Sequence, residues 1–276
     1  MRNRVPMLMM VLAGAWFAAS PARAADCIAV PAADLIKAGT LTMSTNPTLP
    51  PLQYVNAAGE LVGMRIDLGR DVAKRLCLTP DFVKIDFDAM VPGLQAGRWD
   101  MIDTGIFFTP ARAKIMQMIP YESQAISISV PNGTAGDAVH APADLEGKTV
   151  GVEIGGFEES KTKALDAELK AKGGKGLTIR TFDSFAVAYQ ALRAGQVDAV
   201  TTIDSVAKEY ADRGDFKHAI SGLYPTPVAL AFKSKLLAEA ALAAMKAMQG
   251  DGSYDKLFKQ YGVVPIEDLK IEGPAG

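Results

Sequence analysis

The residues from Asp100 to Arg112 read Asp-Met-Ile-Asp-Thr-Gly-Ile-Phe-Phe-Thr-Pro-Ala-Arg, and they hold the densest chemistry in the chain. A short apolar strand breaks at Gly105, after which Thr109 and Pro110 suit the N-cap and first position of a helix. Such a turn leaves backbone N–H groups without partners, and Arg112 adds a rigid fork of donors that matches a carboxylate. The expected chemistry is capture of a small anion around Thr104, Gly105 and Arg112. The plainer alternative is a strand-to-helix connection with Arg112 on a solvated face. Asp103 stands out as an acid inside the apolar run 101–106, because a buried charge needs a partner.

Covalent chemistry finds no support. The sequence offers no Ser-His-Asp or Cys-His constellation, and the two histidines, His140 and His218, stand alone in segments that read as surface. The spacing of Cys27 and Cys77 suits no metal site, and no cofactor is implied. A formal net charge of −2 argues against a nucleic-acid partner.

The elements that must position the 100–112 stretch follow from periodicity. Strands are expected near 41–45, 82–85, 101–102, 149–152, 177–181, 197–201 and 228–232, with a hairpin bracketing 56–60. Helices are expected over 66–76, 89–96 (capped by Asp88), 158–172, 185–193, 206–210, 234–249 and 254–261. Two β-α-β series in succession imply mostly parallel sheets with helices on their faces, hence two α/β lobes. Apolar segments near 124–130 and 226–232 are the natural crossings between them, and two crossings imply a hinge.

Compartment is read from the N-terminus. Arg2 and Arg4 precede an apolar run from Val5 to Ala19, and Ala22-Arg23-Ala24 places small residues where a signal peptidase reads. The run is shorter than the roughly 20 residues of a spanning helix. An exported chain cleaved near Ala24 is expected, in which Cys27 and Cys77 either form a disulfide or remain two separate buried thiols.

At this point the chain resembles the periplasmic solute-binding proteins of polar amino-acid ABC transporters, family 3, over roughly residues 38–262. The resemblance is carried by Pro-Pro-Leu-Gln-Tyr at 50–54, Gly-Glu-Leu-Val-Gly-Met at 59–64, Ile-Asp-Leu at 66–68, the segment 88–100, and Thr-Pro-Ala-Arg at 109–112. Further matches are Asp-Leu-Glu-Gly-Lys-Thr-Val-Gly-Val at 144–152, Ala-Gly-Gln-Val-Asp-Ala-Val at 194–200, and Asp-Gly-Ser-Tyr-Asp-Lys at 251–256. Each piece has the composition of a common turn; their order and spacing make the case.

The resemblance implies two Rossmann-like lobes joined by two crossing hinge strands, the type II periplasmic-binding fold. Lobe 1 would comprise 25–123 plus 228–276, and lobe 2 would comprise 124–227, after a signal peptide at 1–24. It implies that Arg112 grips the ligand's α-carboxylate, helped by N–H groups around Gly105 and at Gly156 and Phe157. The departures are informative. Leu49 and Leu52 stand where the family has an aromatic, although Phe87 and Asp88 keep the other wall. Phe107 and Phe157 replace hydroxyl residues, and Asn46 replaces an acid. The usual ammonium acceptor falls on Ile203, with Asp204 one place late. Phe87, Phe107 and Phe157 then suit walls around an apolar or cationic group, or else pack the lobe cores. Asp103 is expected to face the cleft as the substitute ammonium acceptor, or to be a strand-end acid paired with a nearby base; Glu153 is a second candidate.

Function is therefore expected to be periplasmic binding of an amino acid or amino-acid derivative by a monomer that delivers it to a membrane permease. Two alternatives stay open: a dehydratase of the cyclohexadienyl or arogenate type on the same fold, and a solute-sensing subunit for a receptor.

Overall fold

The computed structural model describes residues 27–133 and 137–274, so the expected signal peptide lies outside the described residues. Its main feature is an eight-stranded sheet. In chain order the strands are β1 (Thr40–Thr45), β5 (Thr79–Lys84), β6 (Met101–Phe107), β7 (Gln117–Val130), β8 (Thr149–Glu153), β9 (Thr178–Phe182), β10 (Ala199–Ile203) and β11 (Lys217–Phe232). Their spatial order is β5-β1-β6-β11-β7-β10-β8-β9. A small antiparallel sheet adds β2 (Thr48–Leu49), β3 (Gln53–Val55) and β4 (Leu61–Val62).

The two longest strands, β7 and β11, pair antiparallel from Lys217 opposite Val130 to Phe232 opposite Gln117. One half of this ribbon joins the parallel set β5-β1-β6, and the other joins β10-β8-β9. That is the two-lobed α/β fold with two crossing strands. The pairing is uneven: its register shifts between His218 and Ile220, between Ile220 and Leu223, and again before Thr226.

Helices cover the sheet on apolar faces. In α1 (Met64–Arg75), Ile66, Leu68, Val72 and Ala73 are buried at helical spacing. Gly63 starts this helix at φ 125°, where a Cβ would press on the Leu52 carbonyl. A short α2 (Met90–Gln95) follows a 3-10 turn at Phe87–Ala89, so Asp88 does not cap it as expected; no side chain does. The second lobe carries α3 (Phe157–Ala171), α4 (Phe185–Arg193) and α5 (Asp204–Asp212). Ser184 caps α4 by accepting from the Val187 N–H. The chain returns to the first lobe with α6 (Lys235–Asp251) and α7 (Ser253–Tyr261), and Gly252 in the left-handed region separates them.

Two further expectations change, and a third, the disulfide, is met. The helix anticipated after Pro110 is a single 3-10 turn, Arg112–Lys114, whose N-cap is Ala111 and not Thr109; Thr109 Oγ1 still accepts from the Arg112 N–H at 3.2 Å. His218 is only partly exposed, its Nε2 meeting Ser127 Oγ at 2.5 Å, while His140 is on the surface. Cys27 and Cys77 form the disulfide, with Cα atoms 5.6 Å apart and 50 residues between them. Among the described residues no helix is long and apolar enough to cross a membrane.

Candidate functional site

Four strands end at one place. The carboxyl ends of β1, β6, β8 and β10 bring Asn46, Phe107, Glu153 and Ile203 to the gap between the lobes, the position where open α/β sheets hold ligands. The gap encloses a cavity of about 20 Å³. Of the expected residues, Phe87, Thr104, Gly105, Phe107 and Phe157 line it; so do Leu49, Glu153, Glu158, Phe185 and Ile203.

Contacts between the lobes surround this cavity. Phe107 and Phe157 stack with centroids 4.7 Å apart. Asn46 Nδ2 donates to Glu153 Oε1 at 2.7 Å. Arg112 Nη1 donates to the Phe107 carbonyl at 2.9 Å and Nη2 to the Gly155 carbonyl at 3.3 Å, with its guanidinium 5.4 Å from the Phe87 ring centre. Gly156 is the N-cap of α3 and follows the Gly155 carbonyl that Arg112 meets, so the first turn of that helix starts beside the arginine.

Thr104 is fixed from three sides. Its Oγ1 accepts from the Asn46 N–H, and its carbonyl accepts from Gln53 Nε2 at 3.0 Å and from Arg65 Nη1 at 2.6 Å. Arg65 is fully buried and pairs with Glu122 on β7. Gly105, at φ 71°, lies against this guanidinium, and a Cβ there would overlap it. Only glycine fits, for both backbone and space.

Asp103 does not face the cleft, which corrects the expectation. Alternation along β6 sends its side chain away from the Thr104 side. It packs against Gly69 of α1, fully buried, with neither oxygen hydrogen-bonded. Burial raises its pKa to about 8, against the opposing pull of the Arg65 charge. Asp204 is likewise turned away. As the first residue of α5, one step beyond the strand end, it accepts from Ser127 Oγ and from the Gly222 N–H at 3.2 Å. It borders a wider groove of about 620 Å³ shared with His218 and Lys208, and Ile203 forms the cavity wall in its place.

The carboxylates that do reach the cavity are Glu153 and Glu158. Glu158, in the first turn of α3, was not singled out from sequence; an acid there reads as an ordinary complement to the helix dipole. Burial lifts its pKa to about 7, opposed by its own backbone N–H and by the nearby charge of Arg112. Glu153 is raised well above the usual range by burial and by Glu158, while its bond from Asn46 opposes the shift. Burial lowers the Arg112 pKa, and Glu158 counters that. The site can thus offer a carboxylate fork, aromatic surface and two buried acids within one small space.

The family model for bacterial extracellular solute-binding proteins, family 3, matches residues 41–264. ABC transporter arginine-binding protein 1 of Escherichia coli (strain K12) is 25% identical over 231 residues, covering 80% of this chain and 90% of its own length. Among solved structures, an ancestral arginine-binding protein bound to arginine aligns with TM-score 0.74 and 32% identity, over 81% of this chain and 98% of the other. The ancestral amino acid-binding protein AncCDT-1, described as a precursor of cyclohexadienyl dehydratase, aligns with TM-score 0.72 and 29% identity, over 81% and 95%.

Proposed function

The chain belongs to the bacterial extracellular solute-binding proteins, family 3, and from that membership we propose that it traps an amino acid or amino-acid derivative between its lobes. In this reading Arg112 grips the solute's carboxylate, with N–H groups near Gly105 and at the start of α3 completing the grip. The closed form then presents the solute to the permease of an ABC transporter. The proposal includes a periplasmic monomer and a division into 25–123 with 228–276 as one lobe and 124–227 as the other.

The observation that supports this best is where Arg112 stands. Its guanidinium touches carbonyls of both lobes at the ends of β6 and β8, so an anion held there is held by both halves. Charge-assisted, bidentate bonds in a dry cleft are strong and geometrically selective. Nothing in the site requires a bond to be made or broken.

Mass spectrometry of solute co-purified from the periplasm, followed by calorimetry with the identified compound, tests the proposal. A carboxylate-bearing amino acid or derivative is the expected finding. Failure of every amino acid in a full panel to bind would sink it. The buried acids Glu153 and Glu158 favour one second reading, a dehydratase in which a protonated carboxyl acts as general acid. Incubation with arogenate or prephenate decides between them, since turnover would make the chain an enzyme.

A further inference from the structure

Strand β6 leaves its ladder just where it meets the cavity. Against β11, Ile102 pairs with Ala231 and Ile106 with Ala229, so Asp103, Thr104 and Gly105 stand opposite Leu230 alone. Such a bulge leaves residues unpaired and re-aims the strand. The displaced peptide is held by a buried cation. Arg65 Nη1 donates to the Thr104 carbonyl at 2.6 Å and to Gln53 Oε1 at 3.1 Å, and Gln53 Nε2 donates to the same carbonyl at 3.0 Å. In a planar trans peptide the N–H lies on the side opposite the C=O. With the Thr104 carbonyl turned toward Arg65, the Gly105 N–H is turned the other way, and Gly105 lines the cavity. A charged donor on the carbonyl also polarises the N–H of the same peptide.

The other edge of the guanidinium is anchored on a crossing strand. Nε donates to Glu122 Oε1 at 3.1 Å, and Nη2 reaches the same oxygen. Glu122 is fully buried on β7, where it pairs with Val228 of β11. One rigid side chain therefore ties the Thr104–Gly105 peptide to the long ribbon. An apolar side chain of similar volume could fill this space without the cost of burying a charge. The cation reaches the cleft instead: its charge acts on Glu158, which lines the cavity.

Resting on the carboxylate role of Arg112, we propose that Arg65 is the positioning residue of the anion clip. From behind the cavity it holds the Thr104 carbonyl so that the Gly105 N–H faces the solute's carboxylate, and its pair with Glu122 fixes that peptide to β7. Arg65 touches no solute; it acts through the peptide bond it orients and polarises.

This peptide can be watched alone, because Thr104–Gly105 is the one Thr-Gly step in the sequence. Mature protein carrying carbonyl-13C threonine and 15N glycine therefore gives a single correlated resonance for it. The common L-amino acids are screened by calorimetry, and the tightest binder serves as the probe. At saturation the Gly105 amide proton moves downfield, as an N–H donating to a carboxylate does. Arg65→Lys keeps a charge for Glu122 but loses the planar fork. It displaces the Thr104 carbonyl resonance in the free protein, abolishes the downfield move of Gly105, and weakens the probe by about 10-fold or more. A merely structural Arg65 would change the melting temperature and leave both resonances in place. Circular dichroism verifies the fold. If Arg65→Lys does not fold, Gln53→Leu removes the second donor to the same carbonyl, keeps the Arg65–Glu122 pair, and displaces both resonances in the same sense. A bound probe that leaves the wild-type Gly105 resonance unmoved overturns this inference, and so does a folded variant that binds within about 2-fold of wild type with the same downfield move. Either result leaves the Arg112 reading standing. Absence of binding by every amino acid overturns both.

Discussion

Asn46 donates to Glu153 across the cleft at 2.7 Å, a hydrogen bond from a strand end of one lobe to a strand end of the other. The closed arrangement is thus held partly by the same groups that surround the cavity. A cavity of about 20 Å³ admits roughly one water and no amino acid. In the proposed function, ligand entry is therefore expected to break this bond and the Phe107–Phe157 stack, with ligand contacts replacing them. Asn46→Ala is expected to raise the open population of the ligand-free protein, visible as an increased radius of gyration in small-angle scattering. An unchanged radius would show that the bond contributes nothing to closure.

Loss of Arg112 is expected to cost at least ~2 kcal/mol in ligand binding, because a charge-assisted pair disappears and the ligand's carboxylate stays desolvated. Arg112→Ala measured by calorimetry against the co-purified solute checks this. A change below ~0.5 kcal/mol would leave Arg112 without the carboxylate role.

Arg65→Met is expected to destabilise the fold by about 3–5 kcal/mol, the cost of stranding a buried partner. It leaves Glu122 without its cation, and it removes a donor from the Thr104 carbonyl that supports the cavity wall. Urea denaturation at neutral pH measures the loss. A value under ~1 kcal/mol would mean that Glu122 accepts a proton at little cost.

Stability should fall as pH rises. Burial raises Glu158 from 4.5 to about 7 and Asp103 from 3.8 to about 8, so in both the folded state prefers the protonated form. Their contribution is present in full below the unfolded pKa and disappears as pH climbs through the folded one. The melting temperature of the ligand-free protein is expected to decrease between about pH 4.5 and 7, and less steeply in Glu158→Gln. Identical slopes in the two proteins would show that Glu158 titrates normally.

Opening the Cys27–Cys77 bond is expected to cost about 2–4 kcal/mol, since it releases a loop of 50 residues in the unfolded chain. Paired Cys27→Ser and Cys77→Ser substitutions, compared by chemical denaturation, provide the measure. Because the bond lies at the base of α1, far along the chain from the cleft residues of β8 and α3, ligand affinity should persist.

Local pattern made much of the fold legible. Helix α4 spans the expected 185–193 because apolar spacing, the Ser184 cap and the Gly195 stop all agree. The long ribbon was harder. Glu122, Ser123 and Gln124 interrupt the apolar run of β7, and Gly222, Pro225 and Pro227 break that of β11; only tertiary pairing, such as Arg65 with Glu122, explains the interruptions. Around the cavity, Arg112 stood out by its type and its place after the Gly105 turn, and the phenylalanines through the comparison with the family pattern. Asp103 and Asp204 could not be oriented, since the answer turns on the phase of one pleat and on one residue at a helix start. Glu158 was hidden by its ordinary place in a first turn.

The irregular pairing of the two crossing strands has a mechanical consequence. From Gln124 to Val130, β7 runs opposite β11 from Thr226 back to Lys217, so β11 covers the same span with three more residues. Two of its residues, Gly222 and Tyr224, have φ of 72° and 51°. A bulged strand bends and twists more readily than its regular partner. In the proposed lobe closure, this extra contour length is expected to let β11 lengthen or shorten its path over the 124–130 span more than β7 does. Rotation is then expected about an axis passing nearer β7, with the slack of this span held in its neighbour.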